Sequence, residues 1–169
     1  EKKRIEERER EKKKLLKETK GKENEYKKIL ASREKDAARI RTELFQLSGT
    51  AAIPFEKAVE LSRLSFEKTG VRPAFLLGVI AEESNLGQNV GKGYWKTDMH
   101  PTRDQPVFRD ITSRLGLNPD LMPVSKKAWY GWGGAMGPAQ FIPSTWVLFE
   151  NRIRGLTGSS VPNPWDPKD

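Results

Sequence analysis

Two adjacent carboxylates, Glu82 and Glu83, follow an almost wholly apolar segment, residues 75–81. A carboxyl group placed against apolar side chains resists ionisation, so its pKa rises towards the value that a general acid needs. Successive residues of a helix point in different directions, so the two glutamates cannot share one role. Position alone does not separate a catalytic acid from two ordinary solvent-facing glutamates at a helix end, and both interpretations stay open at this point.

A second candidate for chemistry is the glycine-rich segment over residues 133–146, GGAMGPAQFIPSTW. Its glycines let the backbone approach a ligand closely, because they carry no Cβ atom. Gln140 stands among apolar residues, where its amide must find hydrogen-bonding partners. The pattern predicts a tight turn into a short helix, with the Gln140 amide directed into a cleft.

Residues 78–87 (GVIAEESNLG) and 134–146 (GAMGPAQFIPSTW) together resemble the lytic transglycosylases of bacterial cell walls. The pattern is nearest to the membrane-bound lytic transglycosylase B-like group, which has a lysozyme-like, SLT-type fold. Residues 163–167 (NPWDP) fit the same group, and the resemblance covers about residues 54–169. Two separated motifs in the right order make it more specific than either motif alone.

The resemblance implies a mainly α-helical, lysozyme-like domain that cleaves the β-1,4 bond between N-acetylmuramic acid and N-acetylglucosamine without water. Glu83 matches the family's catalytic glutamate, which is followed by Ser or Thr, whereas Glu82 lies outside that position. As the single acid and base, Glu83 would protonate the bridging oxygen and then take the proton of the C6 hydroxyl, which closes a 1,6-anhydro ring. This reaction requires no cofactor. Gln140 and Met136 match family positions in the substrate groove.

Aromatic residues cluster in the same part of the chain, at Trp95, Trp129, Tyr130 and Trp132. Flat rings suit sugar faces, since they offer apolar area at a small entropic cost. For Trp129 and Trp132 the sequence leaves core packing equally open, whereas Trp146 and Trp165 are expected in the core. Substrate contacts are therefore predicted for six side chains: Gln140, Met136, Ser84, Tyr130, Trp132 and Trp95.

A hydrolytic lysozyme would require a second carboxylate, and Asp98, Asp104 and Asp110 lie where they could supply one. For Asp104 we instead expect a pair with Arg103 that braces the loop. His100 is the only histidine. It is expected to be a loop residue without a metal, because no further ligands stand near it in the sequence.

Three departures from the family pattern bear on function. Gly131 stands where relatives carry a serine that assists the leaving oxygen. Residues 158–162 (GSSVP) lack the carboxylates of the calcium loop found in some relatives, so calcium is not expected. The chain ends before the helices that complete the groove in relatives, so the domain is expected to be C-terminally truncated and weakly binding or inactive. A catalytically lapsed peptidoglycan-binding module and a coiled-coil scaffold for other cell-wall enzymes remain alternatives.

The elements that position these residues are predicted to be helices. Pro54 and Pro73 are expected to open helices over residues 55–68 and 74–83. Gly70 and Gly87 are expected to end them, and the second helix is predicted to be buried on nearly all sides. Further helices are predicted near residues 108–115, from Pro138, and over residues 145–154 between an N-cap at Ser144 and a stop at Gly155.

Residues 1–48 are predicted to form a charged, coiled-coil-like stalk ahead of a globular domain over residues 49–169. Apolar residues from Tyr26 to Leu47 recur at steps of four and three, with Arg33 filling one position. This heptad seam predicts a partner helix outside the chain. Gly21 is expected to fray or break the stalk helix.

The stalk carries most of the net charge of +8, because residues 1–47 hold 17 Lys or Arg and 11 Asp or Glu. Acids interrupt the basic residues, and neither a zinc-ligand spacing nor an RNA-reading pattern is present, so no nucleic-acid partner is expected. The chain lacks cysteine and any apolar run of the ~20 residues that span a bilayer. The resemblance implies peptidoglycan strands as the partner and an extracytoplasmic location, in the periplasm or cell wall, with the export signal outside this sequence.

Overall fold

The computed structural model describes residues 2–48 and 52–169, and within the first helix it describes the side-chain surroundings of residues 8–33, 36 and 40. The chain divides into two units, residues 1–36 and 37–169. It is mainly helical, as predicted, and β pairing in the described residues is limited to isolated bridges. The elements are α1 (Lys2–Ser48), α2 (Phe55–Thr69), α3 (Pro73–Ser84), α4 (Trp95–Asp98), α5 (Gln105–Leu115), a 3₁₀ turn (Pro119–Leu121) and α6 (Pro143–Thr157).

The long helix α1 continues without interruption through Gly21. The predicted break is wrong because a glycine inside a helix costs only about 1 kcal/mol relative to alanine, and its Lys and Glu neighbours are good helix formers. The seam positions Ala37, Leu44 and Leu47 have side chains outside the described residues, and pairing with a partner helix stays a prediction. Large apolar side chains stand in solvent along the described part of α1, at Leu15, Leu16, Tyr26, Ile29, Leu30 and Ile40.

Prolines and left-handed residues set the limits of α2 and α3, largely as predicted. α2 follows Pro54 and ends at Gly70, whose φ of 74° is left-handed and whose N–H donates to the Phe66 carbonyl. Pro73 occupies the first turn of α3, where its missing N–H has no intrahelical partner to lose. The predicted stop at Gly87 is wrong, because Asn85 already adopts the left-handed conformation (φ 50°) that ends the helix.

The prediction that α3 is buried on nearly all sides is also wrong. Ser84 is the only buried residue of the helix, and the Phe75 side chain is 61% exposed. α3 packs against α2, which covers one face and leaves the other in solvent. An almost wholly apolar helix therefore presents an open apolar surface within the described residues.

The hydrophobic core lies mainly between the middle loops, α5 and α6. α5 packs against α6 and against the 3₁₀ turn. The core is formed by residues from all three regions: Val90, Trp95, Met99, Phe108, Ile111, Leu115, Leu117, Met122, Val124, Met136, Trp146 and Trp165. The core thus depends on the loop region more than on the α2–α3 pair.

α6 begins earlier and ends later than the sequence suggested. It spans Pro143–Thr157 and ends at Gly158 (φ 79°), so Gly155 lies inside it. Ser144 is not its N-cap; its backbone N–H instead donates to Oδ1 of Asp104 at 3.2 Å. A carboxylate from a distant loop thus caps the helix in place of a local hydroxyl. No helix over residues 2–48 or 52–169 combines the length and apolar character that a bilayer crossing requires.

Candidate functional site

Glu83 occupies the last turn of α3 and is exposed to solvent. The expected apolar enclosure of its carboxyl group is therefore absent from the described residues. Within those residues the carboxylate forms neither a hydrogen bond nor an ion pair, so it is free to meet a ligand.

Helix periodicity distinguishes Glu83 from Glu82, although both are exposed. Residues seven apart lie on one face of a helix, so Glu82 shares its face with Phe75, on the outward side of α3. Glu83 shares its face with Leu76 and lies one turn from Ile80, and both of these side chains are half-buried. Glu83 therefore stands at the edge between the packed and the open faces of α3, whereas Glu82 points outward.

A left-handed turn follows Glu83 and is held by Ser84. Asn85, Leu86 and Gly87 all have positive φ, at 50°, 53° and 80°. The Ser84 hydroxyl accepts a hydrogen bond from Gly87 N at 2.8 Å and donates to the Ile80 carbonyl. Ser84 is also only 1% exposed. The prediction that Ser84 contacts substrate is therefore wrong: its hydroxyl fixes the end of the helix that carries Glu83.

The second motif forms a turn around Gly137 instead of the predicted helix from Pro138. Gly137 has a φ of 62°, and a Cβ atom there would stand 1.8 Å from the Pro164 carbonyl oxygen, so only glycine fits. Gln140 adopts a φ of 53° and donates its side-chain amide to the Gly137 carbonyl at 2.7 Å. Its side chain is half-buried, and the amide oxygen remains available as an acceptor. Met136 is only 1% exposed, so the prediction that it contacts substrate is wrong: it packs beneath the surface.

One short segment, residues 123–125, contacts the second and third motifs and also Gly93, six residues beyond the first motif. Gly93, which follows the first motif, donates its N–H to the Val124 carbonyl at 2.7 Å. Val124 also forms an antiparallel bridge with Met136 of the second motif. The indole N–H of Trp165, in the third, donates to the Pro123 carbonyl at 3.3 Å. Segments far apart in the sequence are therefore assembled around this one segment.

Residues 125–135 form a short hairpin whose tip is aromatic. Ala128 and Gly131 exchange backbone hydrogen bonds across the two residues between them. Those two are Trp129, 96% exposed, and Tyr130, 78% exposed, whose rings meet at right angles with 5.3 Å between centroids. The structure thus excludes core packing for Trp129 and leaves Tyr130 accessible.

Trp132 lies on the same hairpin, behind the tip, and is 42% exposed. The Lys127 ammonium stands 3.6 Å from the centre of its ring, and the His100 imidazole meets it edge-on at 5.5 Å. A cation over the indole face holds both side chains in place. Trp132 is therefore a partly exposed, positioned ring, suited to one-sided contact.

Trp95 is buried, and the prediction that it contacts substrate is wrong. Its ring stacks on Phe108 with 5.8 Å between centroids, and its indole N–H donates to Asp120 at 2.9 Å. Burial of Trp146 and Trp165 in the core confirms the corresponding predictions. Trp95 joins them because α4, which begins with it, packs inward.

The aspartates considered as a second catalytic carboxylate are all engaged elsewhere. Asp98 accepts hydrogen bonds from the backbone N–H groups of Lys127 and Tyr94, at 2.8 and 2.7 Å. These bonds, that of Lys127 above all, hold its pKa below the ordinary value. Asp110 pairs with Arg114 at 2.8 Å. Neither carboxylate is free to act on a substrate.

Asp104 is fully buried and braces its loop, as predicted. Its Oδ2 accepts a hydrogen bond from Arg103 Nε at 2.8 Å and forms an ion pair with Arg103 Nη2 at 2.7 Å, while Oδ1 caps α6 through Ser144. Burial alone would raise the pKa of Asp104, but the hydrogen bonds from Arg103 and Ser144 outweigh it and lower the pKa. The side chain is an ionised structural anchor.

No cluster of metal-ligating side chains occurs among the described residues. Nδ1 of His100 accepts a hydrogen bond from the Arg103 N–H at 3.2 Å, which makes it part of the loop. No protein-family model, curated protein or solved structure matches the chain.

Proposed function

We propose that the chain is a peptidoglycan lytic transglycosylase that acts outside the cytoplasm, with Glu83 as its single acid and base. The observation that carries the proposal is the contrast among the acids. Glu83 is unengaged at the edge of an open apolar face, while Asp98, Asp104 and Asp110 are bound by amides or arginines. A hydrolase of the usual kind needs two available carboxylates, whereas ring closure by the sugar's own hydroxyl needs one.

The exposure of Glu83 changes how its proton must be retained. In the free protein the carboxyl group faces water, so a bound glycan strand has to exclude that water. The apolar side chains beside Glu83 include Val79, one turn earlier and 39% exposed. A sugar ring laid against this face would exclude water from the carboxyl group at the moment when a general acid is required.

The reaction then proceeds through one group in two steps. Protonated Glu83 donates to the bridging oxygen as the glycosidic bond breaks, and positive charge develops at C1 of the N-acetylmuramic acid. The C6 hydroxyl of the same sugar attacks C1 and gives its proton to the Glu83 carboxylate. The enzyme returns to its starting state, and the products are a new free 4-hydroxyl end and a 1,6-anhydro end.

Three other side chains support substrate in this proposal. Gln140 offers a free amide oxygen from a turn fixed by its own bond to Gly137. Met136 is buried beneath this motif, and Trp132 offers a partly exposed ring face. We assign Tyr130, at the hairpin tip, to a different partner.

The test is digestion of purified peptidoglycan by the full chain, followed by mass spectrometry of the fragments. We expect anhydro-ended fragments, and we expect Glu83→Gln to lower their yield by a factor of about 10² or more. Glu82→Gln is the matched control, since it removes the neighbouring charge on the outward face and should keep most of the activity. Loss of activity in Glu82→Gln with retention in Glu83→Gln would refute the assignment of the acid.

A second candidate, a peptidoglycan-binding module without catalysis, is favoured by one observation. Glu83 has no hydrogen-bonding partner among the described residues to hold its carboxylate in a reactive orientation, and Gly131 supplies no hydroxyl. This candidate predicts that the chain sediments with insoluble peptidoglycan and releases no fragments. Water-added fragments would instead indicate a lysozyme.

A further inference from the structure

The hairpin over residues 125–135 is firmly held at its base. Asp98 binds both legs: its carboxylate accepts from Lys127 N and its backbone carbonyl accepts from Gly133 N, each at 2.8 Å. Ser125 and Ala135 are paired across the legs. A Cβ atom on Gly133 would stand 2.4 Å from the Lys126 and Ser125 carbonyl oxygens, so the legs approach as closely as glycine allows.

Within the part of the chain that the structure describes, the rings at the tip of this hairpin contact only each other. Trp129 and Tyr130 are 96% and 78% exposed, and the one ring contact of Trp129 is with Tyr130. Exposing large rings on a rigid support carries a solvation cost that packing does not offset. A hairpin with a rigid base and exposed rings at its tip is suited to inserting those rings into a less polar environment than water.

The positive charge beside the tip indicates which kind of surface the tip binds. Lys126 and Lys127 precede the aromatic pair and are exposed, and no acid lies between residues 125 and 135. The carboxylate of Asp98 contacts the hairpin at its base, where it is bound to backbone amides. Lysines beside tryptophan and tyrosine match the interface of an anionic bilayer, where rings enter the headgroup region and ammonium groups meet phosphates.

The exposure of Trp129 favours a bilayer over a sugar chain as the occupant. A sugar ring stacks on one face of an indole and leaves the opposite face in water, so carbohydrate-binding rings do not gain from exposure on both sides. The headgroup region of a bilayer surrounds an inserted ring. Trp132, which lies behind the tip with Lys127 on its ring, is the one suited to one-sided contact.

We propose that Trp129 and Tyr130 form a membrane-docking tip that inserts into the headgroup region of an anionic bilayer, with Lys126 contacting lipid phosphates. This docking is peripheral. It requires no spanning helix and is independent of the proposed catalytic activity, because none of these side chains takes part in it.

The experiment is sedimentation of the full chain with sucrose-loaded vesicles of phosphatidylcholine and phosphatidylglycerol in a 7:3 ratio. We expect the double variant Trp129→Ala/Tyr130→Ala to lower the partition coefficient about tenfold or more, and Lys126→Ala to lower it about fivefold. Leu148→Ala is the matched control: it removes another exposed apolar side chain, 76% exposed on α6, and should change binding less than twofold. Every variant carries the basic helix α1, so its attraction to the vesicles is common to all and the differences report the tip.

Brominated lipids in the same vesicles provide a second readout, since they quench tryptophans that enter the bilayer. Wild-type fluorescence should be quenched, and Trp129→Ala should remove that quenching while the far-UV circular dichroism stays unchanged. Equal sedimentation of the double variant and the wild type would overturn the proposal. So would loss of binding to insoluble peptidoglycan in the double variant with vesicle binding unchanged, which would assign the tip to glycan.

Discussion

Removal of the Asp104 carboxylate is the sharpest test of how the loop region is held. The side chain is fully buried, and Asp104→Ala deletes its bonds to Arg103 and to the N-terminus of α6. Arg103 is half exposed and can return to water, but Ser144 N loses its only carboxylate partner. Removing a buried charged acceptor under these conditions costs about 2–3 kcal/mol in the free energy of unfolding.

The assay is urea unfolding at pH 7, followed by tryptophan fluorescence. All five tryptophans lie between residues 95 and 165, so the emission reports the second unit and not α1. We expect the midpoint to fall by about 1–2 M urea with an unchanged slope. The control, Asp110→Ala, removes an exposed partner of Arg114 and should cost at most about 0.5 kcal/mol.

The pH dependence of this cost has a definite sign. Hydrogen bonds hold the pKa of Asp104 below its ordinary value of 3.8, so the folded state favours the ionised form more than the unfolded chain does. The stabilisation is therefore complete above about pH 4 and is lost as the pH falls through the lower folded pKa. The difference between wild type and Asp104→Ala should shrink in that acid range. Equal midpoints at pH 7 would refute the anchoring role.

Three further predictions concern individual glycines and the anchor of the hairpin. Gly137→Ala should destabilise the domain by about 2 kcal/mol or more, since it combines a positive φ with a steric clash. A Cβ atom at Gly155, inside α6, meets no atom within 4 Å, so Gly155→Ala should stabilise the domain by about 0.5–1 kcal/mol. Thermal unfolding compares the two variants, and a larger loss of stability in Gly155→Ala would contradict both predictions. Gly21→Ala should increase the helical circular dichroism of α1, because alanine is favoured there by about 1 kcal/mol; an unchanged signal would indicate that Gly21 does not limit the helix. Asp98→Ala should speed hydrogen exchange at the Lys127 amide at least about tenfold, as the carboxylate that accepts from it is lost; unchanged protection would show that the hairpin needs no anchor.

The local signals in the sequence predicted the helices well where one residue decides the outcome. Pro73 and Gly70 act through their own backbone dihedrals, so the limits that they set were correct. The limit at Gly155 was wrong because α6 continues through it to Gly158, and the limits at Gly87 and Ser144 were wrong because other groups end or cap those helices. Asn85 is left-handed ahead of Gly87, and the Asp104 carboxylate replaces a local cap. Such competition depends on contacts that are distant in sequence.

The burial of the candidate site residues was not predictable from local patterns. The apolar run before Glu83 predicted an enclosed helix, yet α3 has a packing partner, α2, on one side. Trp95 was expected at a groove because it lies among loop residues, whereas those loops form the core themselves. The position of the hairpin was not predicted, because its tip residues, Trp129 and Tyr130, are not the Asn-Gly type that signals a two-residue turn. The exposure of a side chain depends on which other elements pack against it, and the hydrophobic periodicity of one element does not report that.

The convergence of three regions on residues 123–125 has a kinetic consequence. Gly93, Met136 and Trp165 each meet this segment from a different distance along the chain. Closing such long loops is slow, and no single one of them completes the arrangement. The helix α3 can therefore form early, while the arrangement around residues 123–125 is complete only when Trp165 docks. Refolding followed at that indole should be slower than the recovery of helical signal.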